Sequence, residues 1–192
     1  MPLLRFASVV FLVFPAFAGV ADRVAVIVGN QVITVSEVDE EVRVTAFENQ
    51  EPLSLSSEAQ RAAADRLVDQ QLLRGEMALN SFQAPPATDA DALARNFREQ
   101  HFPSAAAFQN ALVKYGITEG QFKQHLLWQE TLVRFTDFRF RPGGTNPPVQ
   151  TASRLRAGAA APPEETVDQQ METWLRQARA QTRVQFKKEA FQ

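Results

Sequence analysis

The chain has 192 residues, 20 basic against 22 acidic, and 45% of its residues are hydrophobic. That length supports one ordinary core or two small ones, and a net charge of −2 argues against a sequence-independent grip on nucleic acid, which requires clustered Lys and Arg. The absence of Cys excludes thiol nucleophiles, disulfides and Cys-based zinc or iron–sulfur sites, and leaves His101 and His125 as the only imidazoles.

The N-terminus reads as an address. One basic residue, Arg5, precedes the uncharged apolar run Phe6–Phe17, and Ala16-Phe17-Ala18 supplies the small residues of a cleavage site. The run is shorter than the roughly 20 apolar residues that cross a bilayer. Met1–Ala18 is therefore expected to be a signal peptide, cleaved after Ala18, with Ala21 as the second choice. Export follows, with no stable membrane insertion once the leader is removed.

Beyond it, Arg23–Val28 and Gln31–Thr34 are β-branched runs separated by Gly29-Asn30, the pattern of a tight hairpin. Two strands alone are marginal in water and want a third. From Ser36 the period changes to about 3.6. Ser36–Asp39 reads as a capping box with Asp in place of the usual Glu, opening a helix to about Glu48. A long amphipathic helix is expected over Glu58–Ser81, with Ala63, Leu67, Val68, Leu72 and Met77 as its buried stripe. Arg61, Asp65, Asp69, Arg74 and Glu76 should face water.

Ala84-Pro85-Pro86 ends that helix, and Thr88 and Asp89 are expected to cap the next, which runs to about His101. Ser104 opens another, with Phe108, Leu112 and Tyr115 on one side and Gly116 as its left-handed end, followed by Ile117. Thr118-x-x-Gln121 is a second capping box, starting a helix to about Phe138. Pro142–Pro163 has no sustained period and is rich in Pro, Gly and Ala, as a linker would be.

After it, Pro163, Glu164 and Glu165 suit a helix's first turn. Val167, Met171, Trp174, Leu175 and Ala178 form one face, and Thr182–Lys187 alternates like a strand. One helix and one strand cannot bury their own apolar face. The economical arrangement lets the tail strand complete the N-terminal sheet, giving one discontinuous domain of 22–141 plus 164–192 with 142–163 looping out. The fold class expected is mainly α with a small antiparallel β-sheet.

Catalytic material is scarce. His101 sits at a helix C-terminus, where partial positive charge is favourable, and His125 is expected mid-helix, facing solvent or a groove. No H-E-x-x-H, G-x-S-x-G or phosphate-cradling glycine loop occurs. No metal, cofactor or catalytic residue is expected. The aromatics between Phe97 and Phe140 are more informative. Most should be core, but the remainder, exposed in a groove, would bind apolar segments of other chains.

Asp22–Thr34 followed by Ser36–Asp39 resembles the opening of the SurA-like periplasmic chaperone family. Arg66–Leu73 is similar to that family's long second helix, Phe108–Leu126 to its helix–Gly–helix unit, and Met171–Phe186 to its closing helix and strand. The resemblance implies a multi-helix N-terminal-type domain closed by the C-terminal helix and strand. Relatives often carry a parvulin-type prolyl isomerase domain before that closing helix. Pro142–Pro163 is far shorter than such a domain and holds no His, Cys or Asp.

The function expected is an ATP-independent holdase for unfolded envelope proteins, outer-membrane protein precursors above all. Phe97, Phe102, Phe108 and Trp128 are its candidate client-binding groove. Two alternatives stay open: a peptidyl-prolyl isomerase-related enzyme, and a dedicated adaptor subunit of an envelope assembly.

Overall fold

The computed structural model describes residues 22–140 and 166–192. The expected signal peptide, Met1–Ala18, and the expected linker, Pro142–Pro163, lie outside them. Strand β1 (Val24–Val28) turns through Gly29-Asn30 into β2 (Gln31–Thr34). Gly29 takes φ +57°, a conformation that favours glycine. Five helices follow: α1 (Val35–Glu48), α2 (Ser57–Leu79), α3 (Asp89–His101), α4 (Ala105–Tyr115) and α5 (Glu119–Phe140). The last described segment supplies α6 (Val167–Gln181), β3 (Val184–Phe186) and a short 3-10 turn at Lys188–Phe191.

The sheet order is β2-β1-β3, antiparallel throughout. The tail strand sits on the free edge of β1, with Val26 opposite Phe186, Ile27 opposite Gln185 and Val28 opposite Val184. Gly29 N–H donates to Arg183 O at 2.9 Å and Lys187 N–H to Ala25 O at 2.8 Å, continuing the ladder past both ends of β3. The hairpin thus gains its third strand from the far end of the chain.

Local chemistry sets the helix ends. The capping box of α1 is Thr34 with Glu37, two residues earlier than expected from Ser36–Asp39. Glu37 Oε2 accepts from Thr34 N–H at 2.7 Å, a reach that the shorter Asp39 side chain lacks. Asp39 instead accepts from Gln60 Nε2 at 2.7 Å. Thr88 makes no capping bond, contrary to expectation. It already has helical φ and ψ, so α3 grows out of the turn after Pro86. Gly116 ends α4 at φ +67°, and Ile117 N–H donates to Leu112 O at 3.1 Å, as the left-handed stop requires. Thr118 and Gln121 form the box that opens α5. For α6 the start is set by a box at Thr166 and Gln169, later than Pro163.

Three apolar clusters hold the elements together. Val26, Val28 and Ile33 pack with Val38 and Val42 of α1 and with Ala63, Ala64 and Val68 of α2, whose small side chains bring the helix close to the sheet. A second cluster centres on Phe47. The third gathers Leu73, Met77 and Phe135 against Met171, Trp174 and Leu175 of α6. The expected apolar face of α6 is only half-buried, because its outer side borders an open groove.

Charged side chains do more than face water. Asp65 and Asp69, expected on the solvent side of α2, both clasp Arg179 of α6. Arg179 Nε lies 2.6 Å from Asp69 Oδ1 and Nη1 lies 3.2 Å from Asp65 Oδ1. Glu76 takes Arg139 of α5 at 3.1 Å, and Glu41 of α1 takes Arg66 of α2 at 2.9 Å. Periodicity sees polarity, but not the partner that another element brings.

Candidate functional site

The aromatics divide by burial. Phe47 is a hub whose ring lies 4.8 Å from Phe122, 5.6 Å from Tyr115 and 5.8 Å from both Phe102 and Phe108. Phe108 is 2% exposed, so it belongs to the core and offers no surface to a client. This corrects its assignment to a groove: Ser104 starts α4 so that Phe108 points inward at Phe47. Phe97 and Phe102 are half-buried at the margin of the same cluster. Trp128 lies elsewhere, half-buried on α5 beside the third cluster. The four candidate residues therefore do not line one groove.

Trp128 does line a cleft, of about 320 Å³, between α1, α2 and α5. Each helix contributes residues at helical spacing: Glu37, Glu40, Glu41 and Val44 from α1, Leu67, Gln70 and Arg74 from α2, and Gln121, Gln124, His125 and Trp128 from α5. The Arg74 guanidinium stands 4.7 Å above the Trp128 ring, at cation–π distance. Gln121 Nε2 donates to Glu40 at 2.7 Å, so the acidic wall is knitted to α5 rather than left as a free cluster.

His125 is among the most enclosed ionisable groups of this cleft, its side chain 11% exposed beside Glu41 at 9%. It faces a groove, one of the two expected settings, but it is tied in place. Its Nε2 lies 2.8 Å from Glu48 Oε2, and Gln129 Nε2 donates to the same carboxylate at 2.8 and 3.0 Å. Glu41 stands 4.0 Å from Nδ1. The His125 hydrogen bond, aided by Gln129, holds the Glu48 carboxyl below its ordinary value of 4.5, against the opposing effect of burial. These groups fasten α1 to α5, and His125's partners are carboxylates and an amide. Among the described residues no cluster of His, Cys, Asp or Glu could hold a metal ion. His101, at the end of α3, meets Gln50 Nε2 through Nδ1 at 2.8 Å.

A second groove, of about 390 Å³, was not foreseen from the sequence. It lies between α2 and α6 beneath the hairpin turn, with Val28, Leu72, Gly75, Leu79 and Trp174 among its walls. Its signals are a glycine in mid-helix and a leucine at the end of α2 that is 83% exposed. Neither identifies a groove until α6 is in place.

The architecture defines a mainly α module whose N-terminal hairpin is closed by its C-terminal strand, with clefts between helices. The chain belongs to the family of SurA-like N-terminal domains, whose model matches residues 3–133, well over half of its length. This is a chaperone-type family. No curated protein matches the chain. Among the described residues no helix is long and apolar enough to cross a membrane.

Proposed function

We propose that this protein is an exported, ATP-independent holdase for unfolded envelope proteins, including precursors of outer-membrane β-barrels. The observation that carries the reading is the open cleft between α1, α2 and α5, where Val44, Leu67 and Trp128 are interleaved with polar groups. Such a lining offers many weak contacts and no deep pocket, which suits brief capture of varied segments. The half-buried rings of Phe97 and Phe102 extend the available apolar surface, and Phe108 plays no part. Release requires no nucleotide, since weakly held segments leave on their own and fold. Residues 22–141 with 164–192 act as one domain and 142–163 as a spacer. The leader at 1–18 directs the chain to the periplasm.

The test is dilution of a urea-unfolded β-barrel protein into buffer with and without the purified chain, followed by light scattering. Suppressed aggregation without ATP is the expected result. Failure with several such clients removes the reading. A proline-limited refolding assay run in parallel should show no acceleration above background.

A further inference from the structure

We propose that the groove between α2 and α6 binds the main chain of an extended, uncharged polypeptide segment through glutamine side-chain amides, a recognition mode indifferent to client sequence. The inference builds on the holdase reading and assigns its client-recognising surface to a second place in the fold.

Four glutamines line this groove: Gln31 beside the hairpin turn, Gln71 on α2, and Gln177 and Gln181 on α6. The hydrogen bonds among the described residues use none of their side-chain amides. Gln60, Gln109, Gln121 and Gln129 donate to carboxylates, whereas Gln70 and Gln124 of the first cleft, like the four of this groove, make no side-chain hydrogen bond among the described residues. What sets this groove apart is that four such amides line it with no free charge beside them. A primary amide carries two N–H donors and an acceptor oxygen, the same pair of functions that a peptide bond presents. Such amides can therefore satisfy an extended chain that brings unpaired N–H and C=O groups, as an exposed sheet edge does.

Charge selects the occupant. Among the described residues the one ionisable group lining the groove is Glu76, and it is occupied by Arg139 at 3.1 Å and by Asn80 at 3.1 Å. A lipid headgroup or a nucleic-acid phosphate would find no counter-charge there, and a basic peptide no free carboxylate. An uncharged strand loses nothing by entering. Its apolar side chains would meet Leu72, Leu79 and Trp174.

Gly75 provides the means of test. A Cβ built on it meets nothing within 4 Å, and its backbone is ordinary helix, so a larger side chain fits without displacing the fold. Gly75→Leu fills the groove with an apolar group and should raise helix propensity. Full-length protein is titrated with a fluorescent peptide alternating Thr with Val and Tyr, and with the same peptide N-methylated at alternate amides.

Gly75→Leu is expected to weaken binding at least tenfold. N-methylation, and the double change Gln71→Leu with Gln177→Leu, should each weaken it about threefold to tenfold per hydrogen bond lost. Binding that tolerates both N-methylation and Gly75→Leu, in a chain that still suppresses aggregation, overturns the groove assignment and leaves the holdase reading standing. Tighter binding by the double leucine variant also overturns it, because a merely greasy groove would respond in that direction. A wild-type chain that neither binds the peptide nor suppresses aggregation overturns both.

Discussion

At the scale of single residues, Glu48 shows how a side chain acquires a role that its sequence neighbours do not announce. It ends α1 in an ordinary polar position, yet it receives His125 and Gln129 from a helix some eighty positions further along the chain. Its carboxyl is held below 4.5 chiefly by the His125 hydrogen bond. A group whose folded value is depressed contributes stability that is present above its unfolded value, and that is lost as pH falls through the folded one. Thermal unfolding should therefore show a loss of stability beginning near pH 4.5 and deepening below it. In Glu48→Gln the melting temperature is expected to be lower at pH 7 and to change less across that acid window. An unchanged pH profile in the variant would show that other carboxylates govern acid sensitivity. Phe47 makes the same point for packing: nothing in its local pattern marks it as the hub that five other rings reach from α3, α4 and α5 and the turn between α3 and α4.

At the scale of elements, α6 is the least buried of the described helices and is held by a clasp. It has no fully buried residue. Its hold on α2 combines half-buried Met171, Trp174 and Leu175 with the grip of Arg179 on Asp65 and Asp69. Asp69's hydrogen bond raises the guanidinium's affinity for its proton above the ordinary value. The side chains concerned are about a third exposed, so solvent screens much of that attraction. Arg179→Ala is expected to cost about 1 kcal/mol, the upper end for a screened pair plus a lost bond to Asp65 O. Hydrogen exchange should localise the loss to α6 and β3. A uniform loss of protection across α1 to α5 would mean that the tail and the helical body open as one unit.

Elements of this kind were legible in proportion to how local their causes are. The hairpin, the five helices up to Phe140, the Gly116 stop and the Thr118 box follow from turn chemistry, capping and period, each decided within a few residues. The start of α1 was misplaced because Ser36 and Thr34 are both competent caps, and only the reach of Glu37 over Asp39 decides between them. The clefts were illegible for a different reason. A groove consists of what neighbouring helices leave unfilled, so it depends on side chains from three elements at once. Trp128 could be picked out as a large ring on α5. Its separation from Phe97 and Phe102 could not, because the Phe47 cluster lies between α1, α3, α4 and α5.

At the scale of the whole molecule, pairing of β1 with β3 makes the two ends of the described chain one structural unit. On the holdase reading proposed above, that arrangement raises the question whether the sheet stays closed while a client is held. The chain contains no Cys, so one engineered pair can answer it without side reactions. Ile27 and Gln185 sit directly opposite each other in neighbouring antiparallel strands, where Cα separations of about 5.5 Å or less fall within the range that a disulfide spans. Ile27→Cys with Gln185→Cys should oxidise readily and, by closing a long loop, stabilise the fold by about 2–4 kcal/mol. The gain should vanish on addition of reductant. If clients enter clefts between helices, the oxidised form must suppress aggregation as well as the reduced one, because neither cleft requires the sheet to open. Protection that appears only after reduction would mean instead that clients displace the tail strand from β1. The working surface would then be the uncovered sheet edge, and the grooves would be incidental.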